Sequence, residues 1–151
     1  MTQPASLLER AIAIALHAHQ GQTDKAGQPY ILHPLRLMLQ MNDLNAQITA
    51  VLHDVVEDSD YTLQDLAAAG FEPQVLAALD CLTKRAGETR LEAAHRAAAH
   101  PLARRVKLAD NADNMDLSRL PNPGPEDHAR LSQYLQVRDI LLAASPDVLD
   151  Q

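Results

Sequence analysis

Residues 52–60 read LHDVVEDSD, which puts His53, Asp54, Glu57 and Asp58 within six positions of an otherwise apolar segment. His53 and Asp54 are a nitrogen and an oxygen donor side by side. On a helix, Glu57 stacks four residues beyond His53 and Asp58 four beyond Asp54. An imidazole and a carboxylate side by side could serve as ligands of a divalent cation. The plain alternative is the wet face of an amphipathic helix, because Ile48, Val51, Leu52 and Val55 gather on the other side of the wheel. Periodicity alone favours that alternative.

Two distant segments supply further donors. His33 stands before Pro34 in YILHP. A following proline disfavours helical geometry, so His33 is expected in extended backbone, its ring clear of the next helix. Asp110 borders a polar stripe of Arg104, Lys107, Asn111 and Asn114 on a segment that is apolar on two sides. A carboxylate held there needs a cation or hydrogen-bond donors. Pairing with Lys107 or Arg104 and ligation of a metal are both open on this segment alone. Taken together, His33, His53, Asp54 and Asp110 are two imidazoles and two carboxylates, a set suited to Mn²⁺, Fe²⁺, Co²⁺ or Zn²⁺. His17, His19, His95, His100 and His128 have no carboxylate at a suggestive spacing.

The elements that must carry these groups all read as helices. Leu8, Ala11, Ile12, Ala15 and Leu16 follow a helical repeat, with Ser6 and Glu9 as a capping box. GQTDKAGQPY is a loop. HPLRLMLQM starts a second helix with Pro34 in its first turn. AQITAVLHDVVED is expected as one continuous third helix. TLQDLAAAG, capped by Thr62 and closed by Gly70, is the fourth, and EPQVLAALDCLT the fifth. ETRLEAAHRAAAH is the sixth, ending near Pro101. PLARRVKLADNADNMDLSRL is a long seventh, and EDHARLSQYLQVRDILLAA the last. No strand pattern stands out. The expectation is an all-α fold of about seven to eight helices, one domain over residues 1–151.

Composition narrows the function classes. Hydrophobic residues make up 46% and aromatics 3% of the chain, so the core must be aliphatic. The formal net charge of −7 argues against general nucleic-acid binding and requires a metal or local cations for any polyanionic substrate. Cys81 is the single cysteine, expected as a buried thiol in a reducing, cytoplasmic compartment. No secretory leader or membrane span is apparent. The oligomeric state is left open, a homodimer included.

Four stretches carry a resemblance: HQGQTDKAGQPYILHPLRL, AVLHDVVEDSDYTLQDL, LDCLTKRAGE and RRVKLADNADNMDLSRL. In this order they resemble the hydrolase domain of the RelA/SpoT alarmone enzymes, which is of the HD metal phosphohydrolase type, and the stand-alone small alarmone hydrolases. The likeness covers roughly residues 5–120, and no synthetase or regulatory region follows, so the small hydrolases are the nearer match. The resemblance implies removal of the 3′-pyrophosphate of (p)ppGpp with one metal, typically Mn²⁺. It implies that His33, His53, Asp54 and Asp110 hold that metal, and that Glu57 and Asp58 position and deprotonate the attacking water. It also places Lys25 and Asn114 at nucleotide-contacting positions. Lys107 and Arg104 are further candidate phosphate partners on charge grounds.

The chain departs from the family at DKAG, where the family often reads RKSG. Asp24 cannot make the cation–π stack of a guanidinium and is expected to repel phosphates. An adenosine analogue, (p)ppApp, is therefore a second candidate substrate. NADNMD also replaces a basic RLHNMR-like run. The competing readings are an HD phosphatase on another nucleotide, such as a 5′-nucleotidase or an NADPH 2′-phosphatase, and a non-catalytic nucleotide-binding module.

Overall fold

Helix starts in this chain are set by short polar side chains that take up the first free backbone N–H groups. Ser6 caps α1 (Leu7–Ala18) and Glu9 returns the bond to the Ser6 N–H. Asp43 caps α3 (Leu44–Leu52), which follows α2 (Leu32–Leu39). The short α4 (Val55–Asp58) comes next. Thr62 caps α5 (Leu63–Ala68), and Gly70, at φ +98°, turns the chain out of it. Pro73 opens α6 (Pro73–Leu82), Thr89 caps α7 (Arg90–Ala98), and Pro101 opens α8 (Pro101–Met115). A 3₁₀ turn (Leu117–Arg119) leads to α9 (Pro125–Leu142). This computed structural model describes residues 3–144, so both ends of the expected 1–151 domain lie outside the described residues.

Among the described residues the architecture is all-α, with one isolated bridge, Thr23 to Pro29, pinching the loop after α1. α3 is the centre, packed by α1, α2, α6 and α8. Six of its nine residues are buried: Ala46, Ile48, Thr49, Ala50, Val51 and Leu52. Ile48, Val51 and Leu52 join Val55, Leu66, Val75 and Leu79 in the main aliphatic core, to which Phe71 adds the chain's one phenylalanine. Leu37 and Val106 close on Ala50 from the other side. The alanines let the helices approach closely, so small side chains do here what aromatics do in other cores. A second layer forms where Val137 and Leu141 of α9 cover Ala94 and Ala97 of α7.

Four expectations change. The third helix is not continuous: it stops at Leu52 and resumes at Val55. The His53 Nδ1–H donates to the Ala50 carbonyl at 2.7 Å, taking the acceptor that a regular helix gives to the Asp54 N–H. His33 is not extended; it sits in the first turn of α2, its N–H bonded to Tyr30 O. A proline is tolerated in a first turn because its missing N–H has no helical partner there, which removes the restriction expected of His33. The seventh helix is shorter than its apolar pattern, ending at Met115 where Asp116 caps the 3₁₀ turn. Cys81 is half-buried, not enclosed. No described helix is long and apolar enough to cross a membrane.

Candidate metal centre and its cleft

The break after Leu52 turns His53 inwards. Its ring is 3% exposed, and His33 and Asp110 are each 5% exposed, so His53 leaves the expected wet face for the interior, while Glu57 and Asp58 stay exposed. α2 brings His33 from one side and α8 brings Asp110 from the other. The ligating atoms of His33, His53 and Asp54 lie within 4.8 Å of one another. His33 Nε2 is 2.9 Å from Asp110 Oδ1, and His53 Nε2 is 3.0 Å from Asp54 Oδ2 and 3.4 Å from Asp110 Oδ1. His33, His53 and Asp54 thus form the close group, and Asp110 reaches both rings from α8.

The donor set fits a divalent cation on an observation of its own. His53 donates from Nδ1 to a carbonyl, which can only accept, so Nε2 is the nitrogen left for the centre. That atom is buried, close to two carboxylates, and aligned for a hydrogen bond with neither. A buried nitrogen is seldom left this way without a partner. His33 likewise uses Nδ1 outwards, donating to Asp113 Oδ2 at 2.6 Å. An imidazole whose far nitrogen is held by a carbonyl or carboxylate is the usual arrangement of a metal-ligating histidine.

The electrostatics draw positive charge to this point, a proton or a metal ion alike. Burial disfavours the charged His53 ring, yet Asp54 and Asp110 raise its pKa well above the ordinary value. Burial also opposes ionisation of Asp110, but Lys107 and the two rings hold it well below the usual carboxylate range. The Tyr30 hydroxyl donates to Asp54 Oδ2, and burial followed by the Asp54 charge keeps that phenol protonated. Lys107 Nζ reaches Asp110 Oδ2 at 3.0 Å while Oδ1 faces the histidines, so both options left open for Asp110 are used, one by each oxygen.

Glu57 and Asp58 line the same cleft as His53, Asp54 and Asp110, a cavity of about 480 Å³ also bordered by Lys84 and Arg90. That volume is of the size that holds small ligands. Glu57 Oε1 accepts from the Lys84 backbone N–H at 2.9 Å, which ties the carboxylate to the loop before α7. The Arg96 fork on Glu88, together with Arg96 bonds to the Asp80 and Thr83 carbonyls, holds that loop. Asp58 is pushed up to about 6 by partial burial and then by the Asp54 and Glu57 charges.

A second cavity adjoins the first, both being lined by Tyr30, Asn114 and Tyr134. Lys25 lines it with Arg36, Arg119 and Arg130. Burial, then nearby Arg130, lowers the Lys25 pKa. Asn114 donates to Asp110 Oδ1 at 3.2 Å. Asp24 lines this cavity too, and its Oδ1 accepts from the Ala26 and Gln28 N–H groups, shaping the loop. Arg104 is a correction. It is fully buried, its Nε donates to Leu141 O at 2.6 Å, and it lines neither cavity. The polar stripe on α8 is wider than one exposed face, and its first member is covered by the end of α9.

The sequence pattern had not singled out Tyr30, Arg36, Arg90, Asp113 or Tyr134. For Asp113 a signal existed: it lies one turn beyond Asp110 on the same face. For Tyr134 none did, since α9 lies past the resembling stretches.

No family model matches the chain. Among curated proteins it is 32% identical over 148 residues to the guanosine-3′,5′-bis(diphosphate) 3′-pyrophosphohydrolase MESH1 of Homo sapiens, covering 89% of this chain and 82% of the human protein. The chain belongs to the guanosine-3′,5′-bis(diphosphate) 3′-pyrophosphohydrolase family. A Vibrio cholerae enzyme of the same name is 42% identical over 73 residues, 45% of this chain. The chain spans only 10% of that protein, and between 9% and 17% of the other long bacterial relatives it matches. A solved structure, described as a metazoan ortholog of SpoT that hydrolyses ppGpp, superposes with a TM-score of 0.77 over 98% of this chain and 92% of its own, at 24% identity. That likeness establishes the all-helical fold of this family member.

Proposed function

We propose that this single hydrolase domain removes the 3′-pyrophosphate of guanosine 3′,5′-bis(diphosphate)-type alarmones, with the adenosine equivalents as further substrates, using one divalent metal, Mn²⁺ in the first instance. The observation that carries this is the clustering of His33, His53 and Asp54 within 4.8 Å, with Asp110 Oδ1 within 3.4 Å of both rings, in the cleft that Glu57 and Asp58 line. His33, His53, Asp54 and Asp110 would hold the ion. Bound there, it supplies a lowered water pKa and relief of phosphoryl charge.

The chain's own residues supply the rest. Asp58, with its pKa near 6, is mostly ionised at neutral pH and accepts the proton of the attacking water. Glu57, anchored by the Lys84 N–H, orients that water. Water adds to the phosphorus joined to the 3′ oxygen, that P–O bond breaks, and the proton held by Asp58 passes to the departing 3′ oxygen, giving pyrophosphate and a 3′-hydroxyl. Lys84, Arg90 and Lys107 border the phosphate end and offset its charge in a chain whose net charge is −7. Lys25, Asn114 and Tyr134 border the neighbouring cavity, where the nucleoside is seated. The lone Cys81 suits action in the reducing cytoplasm.

The test is a side-by-side assay of Mn²⁺-loaded protein on ppGpp, pppGpp, ppApp, NADPH and a nucleoside monophosphate, with the leaving group identified. Release of pyrophosphate from the alarmones is expected. Orthophosphate from NADPH or the monophosphate alone would replace this reading with a phosphatase, and no turnover of any substrate with a nucleoside binding module.

A further inference from the structure

The two histidines of the centre are anchored differently. His53 donates from Nδ1 to a neutral backbone carbonyl. His33 donates from Nδ1 to a carboxylate, Asp113 Oδ2, at 2.6 Å. That carboxylate is itself fixed on every side. Arg36 makes a two-pronged fork to it, Nε to Oδ1 and Nη2 to Oδ2, both at 2.9 Å. Arg119 Nη2 reaches the Asp113 carbonyl at 3.0 Å and Oδ2 at 3.4 Å. Asp113 is 9% exposed.

We propose that Asp113 is a positioning residue for His33, setting the ring so that Nε2 faces the divalent cation. The proposal rests on the reading of the centre given above. Asp110 and Asp113 stand three positions apart on α8 and grip the ring at both nitrogens, Oδ1 of Asp110 at Nε2 and Oδ2 of Asp113 at Nδ1. With Nδ1 committed to a carboxylate, the ring cannot flip without breaking a charge-assisted bond, and its electron density at Nε2 rises. Arg36 and Arg119 also line the nucleoside cavity, so one carboxylate fixes both a ligand of the centre and two cations of the neighbouring wall.

The test is Mn²⁺ affinity, followed by electron paramagnetic resonance of the free ion, for wild type, Asp113→Ala, Asp113→Asn and Arg36→Met. Loss of the anchor in Asp113→Ala is expected to weaken Mn²⁺ binding about 10- to 100-fold. Asp113→Asn, which keeps an oxygen for the Nδ1–H, should recover part of that. Arg36→Met, which leaves the carboxylate on His33, should keep affinity closer to wild type than either. A purely structural role would move the melting temperature of all three and leave Mn²⁺ affinity unchanged, which overturns the proposal. Should the alanine variant not fold, the wild-type protein still decides. A slowly exchanging Nδ1 proton on His33 in ¹H–¹⁵N spectra is expected, and its absence overturns the proposal. Wild-type protein that takes up no Mn²⁺ sinks the reading of the centre itself. Wild-type uptake matched by equal uptake in Asp113→Ala sinks only the role of Asp113.

Discussion

The two halves of the cleft treat their carboxylates in opposite ways. In the nucleoside half every aspartate has its partner: Asp113 holds Arg36 and Arg119, Asp116 holds Arg119, Asp127 holds Arg130, and Asp24 takes two backbone N–H groups. In the other half Asp54, Glu57 and Asp58 have no Lys or Arg within ion-pair distance among the described residues, and Asp110 gives only one oxygen to Lys107. Paired carboxylates make walls. Carboxylates that hold only neutral donors, as Asp54 holds the Tyr30 hydroxyl and Glu57 the Lys84 N–H, make a place for a cation beside two buried imidazoles, because their mutual repulsion needs an outside charge.

The difference can be broken most severely at Asp54. Asp54→Ala should abolish both Mn²⁺ uptake and turnover, measured by calorimetry and by pyrophosphate release; an active variant would erase the distinction between the halves. Asp58→Asn should lower kcat by about 10²- to 10⁴-fold, the range for removing a positioned base, while Mn²⁺ affinity stays near wild type. If metal affinity fell in step with kcat, Asp58 would belong with the ligands and not with the water. On the nucleoside side, Lys25→Ala should act mainly on KM, raising it about tenfold for one lost charge-assisted contact, in steady-state kinetics on ppGpp. A change confined to kcat would move Lys25 to the reacting end.

Two smaller effects sharpen the boundary. Arg104→Met should leave kcat and KM at wild-type values, since the Leu141 carbonyl holds its Nε and the residue lines neither cavity; a raised KM would reopen its candidacy as a phosphate partner. The Arg96–Glu88 fork behind the Lys84 loop should show in the pH dependence of stability. The side-chain bonds from Arg96, then the Arg85 N–H, lower the Glu88 pKa to about 2, from an unfolded value of about 4.3. A depressed carboxylate stabilises fully above its unfolded pKa and loses that contribution as pH falls through the folded one. The gap in melting temperature between wild type and Glu88→Gln should therefore be widest above about pH 4.5 and narrow towards pH 2. A gap independent of pH would mean that the fork is held by its shape and not by its charge.

How far these features were legible in the sequence depended on the distance over which they are made. The Ser6–Glu9 box, the Thr62 cap and the Gly70 exit were readable because each is completed within a few residues. The types of the candidate ligands were readable from HD, HP and the LAD stretch, and the all-α class from apolar periodicity. The helical wheel misled at His53, because it assumes an unbroken helix and the side chain itself breaks it. The proline rule misled at His33, because it describes an isolated dipeptide and not a helix's first turn.

The sequence by itself therefore determined the helices, their caps, the aliphatic core and the stock of donors. Only the tertiary structure decided which donors meet. His33 finds Asp110 and Asp113 across 77 and 80 residues, Tyr30 finds Asp54 across 24, and Arg104 is claimed by Leu141 across 37. Local spacing fixes which face of a helix a side chain occupies, whereas the packing of α2, α3 and α8 fixes what that face meets. In LHDVVEDSD that packing buried His53 and half-buried Asp54, while Glu57 and Asp58 stayed exposed along the cleft.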